Sequence, residues 1–143
     1  MKLLTIAIIA ARLGLGGLFI YGGVLKFIPK PPRPATESVA DVPDHVLKIR
    51  AYIGGLKQTE FFWPMLGVAE ILCGVLLVSQ YLALLGAVML VPITVNIFCF
   101  HLFLEPHETG ELVLTGFYLL VNFGLIAASA PKLKKAFLNF ELI

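Results

Sequence analysis

Apolar residues in this chain do not alternate with polar ones. They come in four long runs separated by polar breaks. A helix crossing a bilayer takes about 20 mostly apolar residues, and each run is of that order. The pattern predicts spans over residues 3–28, 61–79, 81–104 and 112–130. The opening MKLLTIAIIAARLGLGG has the lysine and apolar run of a secretory leader. However, Arg12 interrupts the run and apolar sequence continues to Phe27. A cleaved leader has a shorter apolar core and a small-residue cleavage site, so an uncleaved first span is expected.

Residues 29–60 form the one long polar stretch. It opens with Pro29, Lys30, Pro31, Pro32, Arg33 and Pro34, which cannot continue a helix. From Asp44 to Lys57, Val46, Leu47, Ile49, Tyr52, Ile53 and Leu56 recur near helical spacing, with Lys48, Arg50 and Lys57 on the polar side. This predicts a short amphipathic helix, either lying on the membrane surface or packed as a cap over the spans. Little more than Ser79 and Gln80 joins the second and third spans, which forces an antiparallel hairpin. Glu105 to Glu111 joins the third and fourth.

Four spans put both termini on one face. Lys2, Lys132, Lys134 and Lys135 sit on that side, and Lys30, Arg33, Lys48, Arg50 and Lys57 on the other. The tight cluster after the last span favours termini inside, in the cytoplasm of a cell whose plasma or inner membrane holds the chain.

Composition agrees with the pattern. The chain has 143 residues, 59% of them hydrophobic and 14% charged; a soluble domain averages about 25% charged. The expected fold is an all-α membrane protein, a single domain over residues 1–143, built as a four-helix bundle with a short amphipathic helix between the first two spans. Disordered, coiled-coil and disulfide-stapled classes are excluded. A net charge of +2 is too small and scattered for nucleic-acid binding.

Small and polar residues mark where helices meet in lipid. In the first span Arg12, Gly16, Phe19, Gly23 and Lys26 share one stripe. In the second, Gly67, Glu70 and Gly74 do so, with Cys73 beside Glu70. In the fourth the stripe is Thr115, Tyr118, Asn122 and Ser129, extended by Glu111. These stripes are expected to line the bundle interior. Pro92 inside the third span removes one backbone hydrogen bond. Trp63 opens the second span as an interfacial anchor, and Pro64 suits a first helical turn.

A charge near the bilayer centre costs at least ~2.5–3.5 kcal/mol and needs a partner or a function. Arg12 and Glu70 both lie near mid-span, so an Arg12–Glu70 ion pair is expected. It would serve either to set helix register or to hold Glu70 as a titrating or ligand-binding carboxylate. Asn96 belongs to this intramembrane set. His101 and Glu105, four apart on one face, lie toward the long loop with Lys26. They form a polar mouth, either structural or a seat for a polar headgroup such as that of a quinone.

No metal site is expected. His45 and His107 are loop residues without ligand spacing. Cys73 and Cys99 sit singly on different spans at depths roughly 15 Å apart, too far for a disulfide. Neither a Cys-x-x-Cys pair nor a second intramembrane histidine for haem is present, so no covalently or metal-ligated cofactor is expected.

Three segments resemble the DoxX family of small four-span membrane proteins. ARLGLGGLFIYGGVLKFIP carries an early arginine, paired glycines and a closing lysine. FFWPMLGVAEILCGVLLV carries a glutamate followed by a glycine-bearing run. LVPITVNIFCFHLFLEP ends in an Asn, a His and an acidic-proline turn. The resemblance covers most of the chain except residues 29–60. It implies a four-helix membrane bundle and carries over Arg12, Lys26, Glu70, Asn96 and His101 as the family's polar set, with no catalytic residue among them. The family takes its name from a quinone-reducing thiosulfate oxidoreductase.

The function that resemblance implies is a non-catalytic or accessory module of a quinone- or redox-linked membrane system, with an oxidoreductase subunit left open. Its expected surroundings are membrane lipid, a membrane or peripheral redox partner and possible further copies of itself. An assembly factor, or a small dimeric proton-coupled transporter, is the alternative.

Overall fold

The computed structural model describes residues 2–29, 42–131, 133 and 134. The expected proline break beyond Pro29, and Lys132 and Lys135, lie outside the described residues. Among the described residues five helices follow in order: α1 (Lys2–Leu25), α2 (Asp44–Gln58), α3 (Phe62–Val78), α4 (Ala83–Leu104) and α5 (Thr109–Ala128). Helices satisfy every backbone group internally, which lipid requires. Three of them, α1, α4 and α5, are long and apolar enough to cross a membrane. The fourth member of the bundle, α3, has 17 residues, the lower end of the spanning range.

The four apolar helices close a ring. The α1 helix packs on α3, α3 on α4, α4 on α5, and α5 more loosely on α1. Burial is inverted relative to a protein in water. Glu70, Thr94, Thr115 and Asn122 are buried, while Leu3, Ile6, Val68, Phe117 and Leu120 are exposed. The chain is therefore a multi-pass membrane protein whose outer Leu, Ile, Val and Phe face lipid.

Glycine sets the α1–α3 seam. A Cβ on Gly23 would stand 2.6 Å from the Gly67 carbonyl oxygen, and one on Gly74 would stand 2.5 Å from that of Gly16. The two backbones touch at two levels, as the stripes in the first and second spans predicted. Across α3 and α4, a Cβ on Gly86 would meet the Cys73 carbonyl oxygen at 2.9 Å. Between α4 and α5 the link is polar: Asn122 Nδ2 donates to Thr94 Oγ1 at 3.2 Å. The Thr94 hydroxyl in turn donates to the Leu90 and Val91 carbonyls, beside Pro92.

Element ends differ slightly from expectation. The first span closes at Leu25 rather than residue 28, because Lys26, Phe27 and Ile28 make i→i−3 turn bonds ahead of Pro29. At the other end, α5 starts at Thr109 rather than residue 112, which brings Glu111 into its first turn. An acidic residue is favourable there.

The amphipathic stretch is helical from Asp44 to Gln58 and meets α3 at 88°. Thr59 makes the corner: its hydroxyl donates to Leu56 O at 2.7 Å and accepts from Phe62 N at 3.2 Å. The next residue, Glu60, has φ 59°, the left-handed conformation common just past a helix end. The α2 helix thus lies across one end of the bundle, touching α3 and α4. None of its residues is buried.

Candidate functional site

The α1–α3 register decides which charge meets Glu70. With Gly16 against Gly74 and Gly23 against Gly67, Glu70 lies level with Ile20. Arg12 is then about 12 Å away along the axis. The expected Arg12–Glu70 pair is therefore corrected. Lys26 Nζ donates to Glu70 Oε2 at 2.6 Å, with the two side chains 16% and 3% exposed. Gly22 lies beside this carboxylate, and a Cβ there would meet Oε2 at 3.7 Å, an ordinary contact.

Arg12 serves the opposite end of the bundle. Its Nη1 donates to Gln80 Oε1 at 3.3 Å. Gln80, at φ 61°, donates from Nε2 to the Leu77 and Val78 carbonyls at 3.4 and 3.3 Å. Arg12 thus supports the C-terminal cap of α3 and takes no part in the site.

The remaining expected residues converge under α2. Tyr52 Oη donates to Asn96 Oδ1 at 3.1 Å, pinning α2 to α4. On the next turn of α4, His101 Nδ1 approaches Glu105 Oε2 to 2.8 Å, outside the alignment of a hydrogen bond. The Phe100 ring stands edge-on to His101, with centroids 5.2 Å apart, and 5.7 Å from the Tyr52 ring.

Two adjoining hollows open here, of about 240 and 160 Å³. Both are lined by Tyr52, Leu56, Leu66, Glu70, Asn96 and Ile97. The smaller also reaches Lys26, Trp63, Phe100 and His101. The two sets expected separately, Glu70 with Asn96 and Lys26 with His101, are one cavity. Glu105 acts beside it, through His101.

One contributor went unread in the sequence. Tyr52 counted there as one of α2's apolar positions; its hydroxyl closes the cavity. Outside the cavity lining, His45, which lies in α2 and not in a loop as expected, meets His107 with rings 5.9 Å apart in an edge-on contact, although nothing in their spacing signals it. Both cysteines are free. Asn122 and Thr94 form a separate buried polar contact between α4 and α5, away from the residues lining the cavity.

Chemically, the cavity has apolar walls of Leu and Ile and a short inventory of polar groups. The donors are Lys26 Nζ and Tyr52 Oη. The acceptors are the Glu70 carboxylate and Asn96 Oδ1. His101 can play either part. Such a site suits a ring or chain bearing a few oxygen atoms.

A small multi-pass helical bundle with a polar cavity at one end, roofed by an amphipathic helix, is the class of protein these observations define. The DoxX family model matches residues 7–102, which run from α1 nearly to the end of α4. The chain belongs to the DoxX family. No curated protein and no solved structure matches it.

Proposed function

We propose that this protein is an accessory membrane module of a quinone-linked redox system and that the cavity under α2 receives the quinone headgroup. The observation that carries the reading is the mixed lining: Lys26, Glu70, Tyr52, Asn96 and His101 set among Leu56, Leu66, Ile93 and Ile97. A quinone headgroup is a flat ring with two carbonyl acceptors, and its redox chemistry is its own.

The protein's part is binding and proton handling. Lys26 Nζ, with protons beyond the one it gives Glu70, is placed to donate to a ring oxygen, and Tyr52 Oη can do so only by giving up Asn96 Oδ1. Phe100, beside His101, gives the ring an apolar face to lie against. The Glu70 carboxylate, paired with Lys26, and His101 are the side chains at the cavity wall able to accept a proton. Electrons come from a membrane or peripheral redox partner, because the sequence carries no metal- or haem-ligating motif of its own. The same reading puts the termini in the cytoplasm and the cavity, at the end bearing the long loop, on the far side of the cell membrane.

The test is the protein purified in mild detergent, its ultraviolet–visible spectrum, and mass spectrometry of extracted small molecules. Quinone is expected to co-purify and to be lost from His101→Ala and reduced in Tyr52→Phe, with both variants eluting as the parent does. A colourless protein carrying only lipid, in the parent and both variants, would sink the reading and move the search to the partner proteins of an assembly factor.

A further inference from the structure

A second hollow, of about 200 Å³, lies where the end of α1, the end of α2 and the start of α3 meet. Its walls include Leu25, Lys26, Phe27, Ile28, Lys57 and Trp63. Two cations bear on one indole there: Lys57 Nζ stands 4.9 Å and Lys26 Nζ 5.4 Å from the Trp63 ring centroid. An aromatic face attracts each ammonium, but two like charges at one ring repel.

The two lysines are not equivalent. Lys26 is neutralised by Glu70 at 2.6 Å. Lys57 makes no ion pair among the described residues. Among the described residues, the Lys57 ammonium is therefore left without a carboxylate partner beside the apolar side chains of Leu25, Phe27 and Ile28.

We propose that this hollow binds a phosphate group of single negative charge, held by Lys57 with Lys26 and Trp63. The charge on the group balances the unpaired ammonium, and an apolar substituent on it would lie against Leu25, Phe27 and Ile28. An acidic phospholipid offers both features in one molecule; inorganic phosphate offers only the first. The level suits a headgroup as well. Trp63 stands at the start of a span, where aromatic residues meet the membrane boundary. The amphipathic α2 helix carries Lys48, Arg50 and Lys57 against Asp44, and basic surface helices are drawn to anionic lipid. The site shares Lys26 and Trp63 with the cavity under α2, whereas Lys57 borders this hollow alone, so the Lys57 variants test it apart from the quinone reading.

The test uses the whole protein in dodecylmaltoside. Thermal unfolding and native mass spectrometry are followed while dioleoylphosphatidylglycerol or dioleoylphosphatidylcholine is titrated in. A separate arm compares sodium phosphate with sodium chloride at equal ionic strength. The variants are Lys57→Gln, Lys57→Arg and Lys48→Gln. Lys57 is exposed, so its variants fold. Lys48 is an exposed lysine on the same helix, paired with Asp44 at 3.0 Å and outside the hollow.

The expected result is tighter binding of phosphatidylglycerol than of phosphatidylcholine, whose choline cation is repelled here. Lys57→Gln should weaken it about fivefold, the worth of one lysine at an anionic surface. Lys57→Arg should retain it, and Lys48→Gln should leave it within about twofold. Stabilisation by inorganic phosphate that also needs Lys57 would uphold the site and name free phosphate as its source. Two outcomes overturn it: no preference for phosphatidylglycerol or for phosphate over chloride, or equal losses in Lys57→Gln and Lys48→Gln.

Discussion

The two sides of α1 are built from the same residue type and do opposite things. Toward α3, Gly16 and Gly23 let two backbones meet, and Lys26 locks the contact through Glu70. On its other faces, Gly14 and Gly17 have nothing within 4 Å of a would-be Cβ. The junction of α1 with α5 is an apolar groove of about 380 Å³, bordered by Gly14, Leu15, Tyr118 and Val121 among others. In lipid, burying apolar surface gains little, because acyl chains are as apolar as leucine. Only close packing and polar contacts hold helices together. A groove between helices is therefore cheap in a membrane, while a backbone-to-backbone seam requires glycine at each contact.

The sharpest way to break the contrast is at the charged end of the tight seam. Glu70→Ala leaves the Lys26 ammonium beside a cavity without its partner. Removing one member of a buried pair costs about 3–5 kcal/mol, so a large fall in midpoint is expected in detergent unfolding. The double variant Glu70→Ala with Lys26→Ala should recover much of it. No recovery would mean that the pair is not a unit.

Next come the glycines. Gly23→Ala places a methyl 2.6 Å from the Gly67 carbonyl oxygen and 2.7 Å from Ile71 Cγ1. Backbone cannot yield as a side chain can, so a loss of about 1–3 kcal/mol is expected from the same unfolding assay.

The roof should respond less. Tyr52→Phe removes the hydroxyl held by Asn96, worth about 0.5–1.5 kcal/mol. Because no residue of α2 is buried, the loss is expected as faster hydrogen exchange in α2 with little change in global midpoint. Unchanged exchange would show that α2 is held by something other than that bond.

The smallest effect belongs to the open side of α1. Gly17→Ala meets nothing and gains helix propensity, so its midpoint should stay level or rise by up to about 1 kcal/mol. A drop as large as that of Gly23→Ala would put an unseen partner on that face.

Much of this was legible in the chain. Apolar runs, proline positions and short turns located all five helices to within three residues at each end, because span length and backbone satisfaction are local requirements. The stripes of Gly16 with Gly23 and Gly67 with Gly74 also read correctly, since helical periodicity alone puts them on one face. The polar residues were identified but wrongly paired. Depth along the helix put Arg12 with Glu70 and Lys26 with His101, and periodicity carries no information about how two helices slide past each other.

Sequence alone therefore determined that this is a four-helix membrane bundle with an amphipathic helix between its first two spans, and which faces of α1, α3 and α5 meet; it put Glu70 and Asn122 inside but missed Thr94. The tertiary structure decided the rest. Glycine contacts at two levels set the slide of α1 on α3, which gave Glu70 to Lys26 and sent Arg12 to Gln80. The corner at Thr59 turned α2 over the bundle, bringing Tyr52 to Asn96 and Lys57 to Trp63. Each of these is a contact between residues far apart in the chain, fixed by how rigid helices stack and by no property of either residue's neighbours in sequence.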